Sequence, residues 1–307
     1  MNHVFKNFYR SFYNRTAGFI PSKPINQTMY PGDFFQIRNG EVIILGNIFQ
    51  NGIIAKEECV LQNGITLNGA SWNFSEGVTK PYSGRDTGTN PIEGEFNFSK
   101  QILAFDTAGS FVFNAQHPEA VKIVNWNDIA AELIIKLTQT LYSFREVYVV
   151  TESAVASSWT LAVAGSDEAE LEIAAESESP GFVNLFGDAT SKTIQAKDIE
   201  YFHRETKKKP TFFKAKKLSV QQDKLEIFVN ELITQDSKKT DWAKDFYEYA
   251  FDYDTEHFSS SISINAQTCV LDMLQANELN PNTALSYFKW TDTNLDDIEK
   301  LFLTFGN

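Results

Sequence analysis

Cysteine is nearly absent from this chain. Only Cys59 and Cys269 occur among 307 residues, far apart, so neither a disulfide framework nor a cysteine-rich zinc site is supported and both thiols read as unpaired in a reducing, cytoplasmic setting. Histidine is as sparse: His3, His117, His203 and His257 are dispersed and show no metal-ligand spacing. The acidic stretch Asp252 to Glu256 lacks the glycine and the full loop of an EF-hand, so no metal and no cofactor is expected. Long apolar runs are missing as well. No segment reaches the roughly 18 residues of a spanning helix, and Met1 to Tyr13 interleaves Lys6 and Arg10 with aromatics instead of forming an apolar signal core. A resident membrane helix and a secretion signal are therefore not expected, whereas a conditional β-barrel remains open. Positive charge is the minority sign, 27 Lys and Arg against 40 Asp and Glu for a net −13. That field opposes nucleic acid and anionic lipid except at a local basic patch, and no nucleic-acid partner is expected. Gly40, Gly46, Gly52 and Gly64 do not form a phosphate cradle. No nucleophile elbow occurs either, so no catalytic residue is assigned.

What the chain does have is apolar mass, with 42% hydrophobic residues and 26 Phe, ample for a core. It also changes character at a basic tract formed by Arg204, Lys207, Lys208, Lys209, Lys214, Lys216 and Lys217. Before the tract, short apolar runs alternate with turn residues as in strands; after it, the spacing is helical and the charge is acidic. Residues 1–217 read as one module and 218–307 as a second, the latter carrying 16 acids against 6 Lys. The predicted fold class is α+β, a twisted mixed or antiparallel sheet with packed helices, followed by a small helical module. The tract itself reads as a solvated connector, as a docking site for anionic head groups, or as the partner of the acidic module.

Within the first module, Phe5, Phe8, Tyr9, Phe12 and Tyr13 share helical faces, giving either a helix packed on the body or one that touches lipid through Lys6 and Arg10. Asn39-Gly40, Asn51-Gly52 and Asn63-Gly64 predict tight turns in a meander. Lys80 to Gly94, rich in Gly, Pro, Ser and Thr, predicts a mobile loop. Phe96, Phe98, Phe111 and Phe113 alternate with smaller or polar residues, as in an antiparallel hairpin. Trp126 to Leu141 predicts a helix covering a sheet, and Val147 to Val150 a strand. From Trp159 to Ala175, Leu161, Val163, Leu171 and Ile173 hold odd positions and Glu168, Glu170 and Glu172 even ones. Gly165-Ser166-Asp167 is read as turning the chain between two arms. The pattern fits an edge hairpin, and equally a barrel strand pair with apolar residues toward lipid and acids toward a lumen. Helices are expected around Leu225 to Ile233 with Phe228, around Trp242 to Tyr253 with Phe246, over Ile264 to Leu279, and from Leu295 through Leu301 and Phe302 to Phe305.

The run Phe12-Tyr-Asn-Arg-Thr-Ala-Gly-Phe-Ile-Pro, the helix from Trp126, the strand Val147-Tyr-Val-Val-Thr-Glu and the glycine-interrupted return through Thr193 together resemble the pore-forming domain of gasdermins, bacterial ones included, over Phe5 to Lys217. The resemblance implies a cytoplasmic, autoinhibited defence protein. Its first module, once released by a protease or a partner, would form a homo-oligomer and convert hairpins into a membrane β-barrel. Phe96, Phe98, Phe111, Phe113, Leu161, Val163, Leu171 and Ile173 would then insert, and Lys6, Arg10, Arg204, Lys207, Lys208 and Lys209 would meet anionic lipid. Phe228, Trp242, Phe246, Leu301 and Phe302 would supply the inhibitory contact. The chain departs from that pattern in its acidity, in a basic tract close to the module boundary, in a longer tail than bacterial relatives often have, and in lacking an N-terminal cysteine for lipidation. The competing expectation is a soluble interaction or assembly protein; an uncharacterised hydrolase ranks behind both.

Overall fold

The first helix, α1 (Asn2–Arg15), forms because its aromatics recur three and four residues apart. It stops where Ala17 adopts a left-handed backbone and Gly18 N–H donates to Tyr13 O at 2.9 Å, the six-to-one closure of a Schellman motif. Phe8, Tyr9 and Phe12 are buried, so α1 is packed on the body. This computed structural model describes residues 2–90, 94–138, 147–175, 185–188, 190–221, 285–286 and 288–303. The helices expected near Phe228, Trp242, Phe246 and Ile264 to Leu279 lie outside the described residues, as does Phe305.

All the described strand pairs are antiparallel and form three sheets, which with the helices gives an α+β fold. The largest sheet is built on β10 (Tyr148–Val155) and β15 (Phe212–Val220), paired along most of their length. Beyond β10 lie β2 (Asp33–Arg38) and β9 (Glu119–Ile123), followed by β3 (Glu41–Asn47) and β4 (Leu61–Thr66) respectively. Beyond β15 lie β1 (Ile20–Pro21) and β16 (Phe288–Asp292). α1 covers one face of this sheet, and α2 (Trp126–Thr138) covers the other through Ile129, Leu133, Ile134 and Leu137. Of the three Asn-Gly pairs, Asn39-Gly40 makes the expected two-residue β2–β3 turn, with φ of 52° and 76°. Asn63-Gly64 does not turn the chain. It lies inside β4 where the register against β9 slips between Gln62 and Ile65, so its left-handed glycine serves a bulge.

The second sheet has the order β14 (Ile199–Glu205), β11 (Ser158–Ala164), β8 (Phe111–Gln116), β5 (Asn73–Glu76). The third has β13 (Lys192–Lys197), β12 (Ala169–Ala175), β7 (Gly94–Phe105), β6 (Val78–Asn90). These strands correct three expectations. Lys80 to Asn90, read as a mobile loop, is most of β6: as an edge strand with much of its length exposed, it has no apolar face to imprint a period-two signal. Gly165 to Glu168 does not join two arms of a hairpin, because β11 pairs with β8 and β14 while β12 pairs with β7 and β13. Likewise β7 and β8 are successive pieces of one strand, and the partner of the Phe96–Phe98 segment is β6. In these last two cases the pattern was strand-like, but alternation does not identify the partner.

The boundary placed after Lys217 falls inside β15, whose Lys216–Val220 stretch pairs with β16. From β16 the chain enters α3 (Leu295–Lys300), whose Ile298 joins Leu301 and Phe302 in the core beneath α1.

Candidate membrane-insertion and restraint site

The second and third sheets are one four-stranded ribbon with a crease. Each strand of one continues into the other: β5 into β6 across Gly77, β7 into β8 across 106–110, β11 into β12 across 165–168, and β13 into β14 across Asp198. Each break holds a residue with left-handed backbone: Gly77 (φ 63°), Gly109 (83°), Glu168 (57°) and Asp198 (55°). Main-chain bonds connect the breaks, from Asp106 N–H to Gly77 O, Gly109 N–H to Ala164 O and Gly165 N–H to Asp198 O, each at 2.9 Å. The crease thus runs across the whole ribbon.

The crease changes which side of the ribbon the apolar residues face. In β8 and β11, Phe111, Phe113, Leu161 and Val163 pack with α1 in the main core. In β7 and β12, Leu103, Phe105, Leu171 and Ile173 pack instead in a separate core between the two sheets, beside Val112 and Ala162 from the opposite face of the second sheet. Yet Leu161, Val163, Leu171 and Ile173 all hold odd positions, as do Leu103, Phe105, Phe111 and Phe113. Phe74 and Val78, on the two sides of Gly77, also share parity. In an uncreased strand, residues of one parity share one face. The alternation is therefore in phase through three of the four breaks, although the folded chain places it in two cores. In the fourth strand the β14 register against β11 slips next to Asp198, and the parity does not carry through.

The candidate inserting residues Phe111, Phe113, Leu161, Val163, Leu171 and Ile173 are all buried. Phe98 is half-buried and of the other parity, and the Phe96 side chain lies outside the described ones. The opposite face of the third sheet is polar: Lys100 pairs with Glu172 at 2.7 Å, and Glu170 stands beside Lys197.

Residues 288–303 form a strap that grips both layers of the largest sheet. On the α2 side, Phe288 is buried, and Trp290 stacks edge-on against Trp126 while donating its indole N–H to Ala130 O at 3.0 Å. On the α1 side, Phe302 meets the Tyr9 ring at 5.1 Å, and Tyr13 donates to Thr293 O at 2.8 Å. Gly40 is the close approach on the third flank, since a Cβ there would lie 2.8 Å from Leu301 O. Asp297 is the polar centre. Its Oδ1 accepts from the Tyr148 hydroxyl at 2.8 Å and from Lys217 Nζ at 3.1 Å, while Oδ2 accepts the Asn294 N–H that starts α3. Asn294 and Asp297 cap the start of α3 reciprocally, a pair that the apolar spacing read from Leu295 onward did not single out.

The strap also engages cations of the first module. Glu299 pairs with Lys6 and, at 3.5 Å, with Arg10; Asp292 holds Lys216 at 2.6 Å. Lys23 donates to Leu301 O and lies 4.5 Å from the Phe302 ring, where burial depresses its pKa against the opposing pull of Glu41. Burial raises the Tyr13 phenol, and Asp292 and Asp297 add to the shift. The other candidate lipid contacts are placed differently. Arg204 points inward to Ser191 and the Phe186 carbonyl, Lys208 faces Glu119 at 3.6 Å, Lys209 pairs with Glu205 at 2.8 Å, and Lys207 is exposed. Among the described residues no His, Cys, Asp and Glu group converges to hold a metal, and no helix is long and apolar enough to cross a membrane.

No protein-family model matches the chain, and no curated protein matches it in sequence. Among solved structures it is distantly similar to the gasdermin A3 membrane pore, with 10% identity, 72% of this chain and 91% of that chain covered, and a TM-score of 0.31. It is also similar to a bacterial gasdermin from Bradyrhizobium tropiciagri, with 11% identity, 66% and 81% covered, and a TM-score of 0.26. These are distant resemblances in structure to two gasdermins, and they align no residue with a role.

Proposed function

We propose that this chain is an autoinhibited pore-forming protein. In the intact chain the creased ribbon is held in two cores and the strap covers α1 and β15. Release of the strap, by cleavage before it or by a partner that displaces it, frees Lys6, Arg10, Lys23 and Lys216 for anionic head groups and lets copies assemble. The ribbon then straightens and pairs edge to edge with its neighbours, because an open sheet edge cannot enter hydrocarbon. The observation that carries this reading is the phase of the apolar pattern. An internal, permanently creased ribbon has no need for Leu161 and Leu171, buried on opposite sides, to share parity. A straight lipid-facing strand requires it. Residues 158–175 and 94–116 each exceed the roughly 9–11 residues a tilted strand needs to cross a bilayer. The intact chain is proposed to wait in the cytoplasm.

Dye release from phosphatidylcholine vesicles containing anionic phosphatidylglycerol tests the proposal. The intact chain is expected to be silent. A chain cut at a protease site inserted after Gln221, and carrying Asp297→Ala so that the severed piece departs, is expected to release dye. If that cut chain binds the vesicles, remains folded and releases nothing, the pore reading is wrong.

A further inference from the structure

The strap does not reach the core between the two ribbon sheets. That core is filled by a different element, the single turn Leu185–Gly187, whose Leu185 and Phe186 are buried against Leu103, Phe105, Leu171 and Ile173 from one sheet and Val112 and Ala162 from the other. A side-chain pair wedged between two sheets keeps them apart at an angle, and such a core cannot be vacated without exposing both faces. The turn is also fastened by polar groups. Arg204, on β14, donates through Nη1 to Ser191 O, through Nη2 to Ser191 Oγ at 2.7 Å and to Phe186 O at 3.4 Å, and through Nε to Thr160 Oγ1 at 3.3 Å. Gln116, on β8, donates to Gly187 O at 2.7 Å. Asp188 closes the loop internally by accepting from Thr190 N–H and Oγ1, and its carbonyl accepts from Ser191 Oγ at 2.9 Å. Gly187 lies so close to Asn114 that a Cβ would meet its Oδ1 at 2.5 Å. Two elements of the ribbon thus hold one turn in the angle of the crease, each through groups of fixed geometry.

We infer that the turn Leu185–Gly187, with Asp188, Thr190 and Ser191 and latched by Arg204, is a second restraint separate from the strap: a wedge that holds the crease and must leave before the ribbon can straighten. This rests on the proposed pore function for its consequence at a membrane, but not for its existence in solution. Arg204 acts here by positioning the wedge and takes no part in binding lipid while latched. Glu168 and Asp198, non-glycine residues held left-handed at the crease, favour straightening once the wedge is gone, because an extended backbone relieves the crowding of Cβ. Undocking the strap alone would yield a protein that binds vesicles and permeabilises them slowly, with wedge expulsion as the slow step.

Hydrogen exchange on the full chain in solution tests the latch. Arg204→Ala, with Arg204→Lys as a milder variant, should speed exchange at the Asp188 and Ser191 amides by about tenfold or more while β16 amides keep their protection; Asp297→Ala should do the converse. Unchanged exchange at Asp188 and Ser191 in Arg204→Ala, or joint loosening of wedge and strap in either variant, overturns the inference. A crosslink supplies the membrane arm. Asn114→Cys with Gly187→Cys, in the chain cut after Gln221 and also carrying Cys59→Ser, Cys269→Ser and Asp297→Ala, joins the wedge to β8. A Cβ at 187 would lie 2.8 Å from Asn114 Cγ, within reach of a bridge whose Cβ atoms stand about 3.5–4.5 Å apart. The oxidised protein should bind anionic vesicles and release dye at least about tenfold more slowly than after reduction, the ratio expected if wedge expulsion is the slow step. Equal rates before and after reduction overturn the wedge as a gate. If dye is released in neither state, the pore reading fails, and the exchange result alone decides the latch.

Discussion

Asp297→Ala is the sharpest perturbation of the strap. The carboxylate is 4% exposed and unites three elements: the Tyr148 hydroxyl of β10, Lys217 of β15 and the Asn294 N–H that starts α3. Breaking a buried ion pair by deleting one partner costs about 3–5 kcal/mol. The Lys217 side chain is 21% exposed and can recover some hydration, so the expected loss here is about 2–3 kcal/mol. At 1.4 kcal/mol per factor of ten, the population with the strap undocked should rise by about 30- to 150-fold. Amide exchange along β16 (Phe288–Asp292), whose ladder partner is β15, reads that population directly. The control is Asp296→Ala, which removes an exposed acid from the same first turn and should shift exchange by no more than about threefold. If Asp297→Ala leaves β16 exchange within that same range, Asp297 does not hold the strap, and the restraint drawn above is wrong.

Gly40→Ala should cost more than Gly52→Ala. Both glycines are left-handed, at φ 76° and 66°, but a Cβ at Gly40 would strike Leu301 O at 2.8 Å whereas Gly52 faces open space. Chemical denaturation should show about 1 kcal/mol for Gly52→Ala and at least about 1 kcal/mol more for Gly40→Ala, with faster β16 exchange only in the latter. Acid should weaken the fold in two stages. Burial depresses His203, reinforced by Lys209 against the pull of Glu205, so its contribution is complete above the ordinary 6.5 and is lost as pH falls from there through its depressed value. Burial works to raise Glu205, but the Lys209 ammonium and the Lys207 N–H hold it below 4.5, so its contribution is complete above 4.5 and is lost as pH falls through its depressed value. Thermal melts of His203→Asn should flatten the upper stage and of Glu205→Gln the lower; unchanged slopes would refute the assignment.

The sequence made strand existence legible wherever one face meets a core. Leu171 and Ile173 against Glu170 and Glu172 announced β12, and Ile129, Leu133 and Leu137 announced α2. It concealed partners, because period two is the same whether Trp159–Ala175 folds on itself or runs straight across a crease into new neighbours. It concealed β6 because Lys80-Pro-Tyr-Ser-Gly is largely exposed there and its composition mimics a loop. The terminal helix was visible in Leu295, Ile298, Leu301 and Phe302, whereas β16 was not anticipated. What neither composition nor spacing could supply was long-range polar geometry: Asp297 meeting Tyr148 and Lys217, Glu299 meeting Lys6 and Arg10, and Arg204 turning inward to Ser191. Positive charge in a tract suggested an anionic surface, but much of it finds partners within the chain.

The most direct test of the account is a scan of an environment-sensitive fluorophore along residues 158–175 after strap release on anionic vesicles. A straightened barrel strand predicts one unbroken alternation, with Leu161, Val163, Leu171 and Ile173 reporting lipid and Thr160, Ala162, Glu170 and Glu172 reporting water. A pattern that reverses phase between Gly165 and Glu168, or a uniform aqueous signal throughout, would mean that the crease persists and the ribbon does not enter the bilayer.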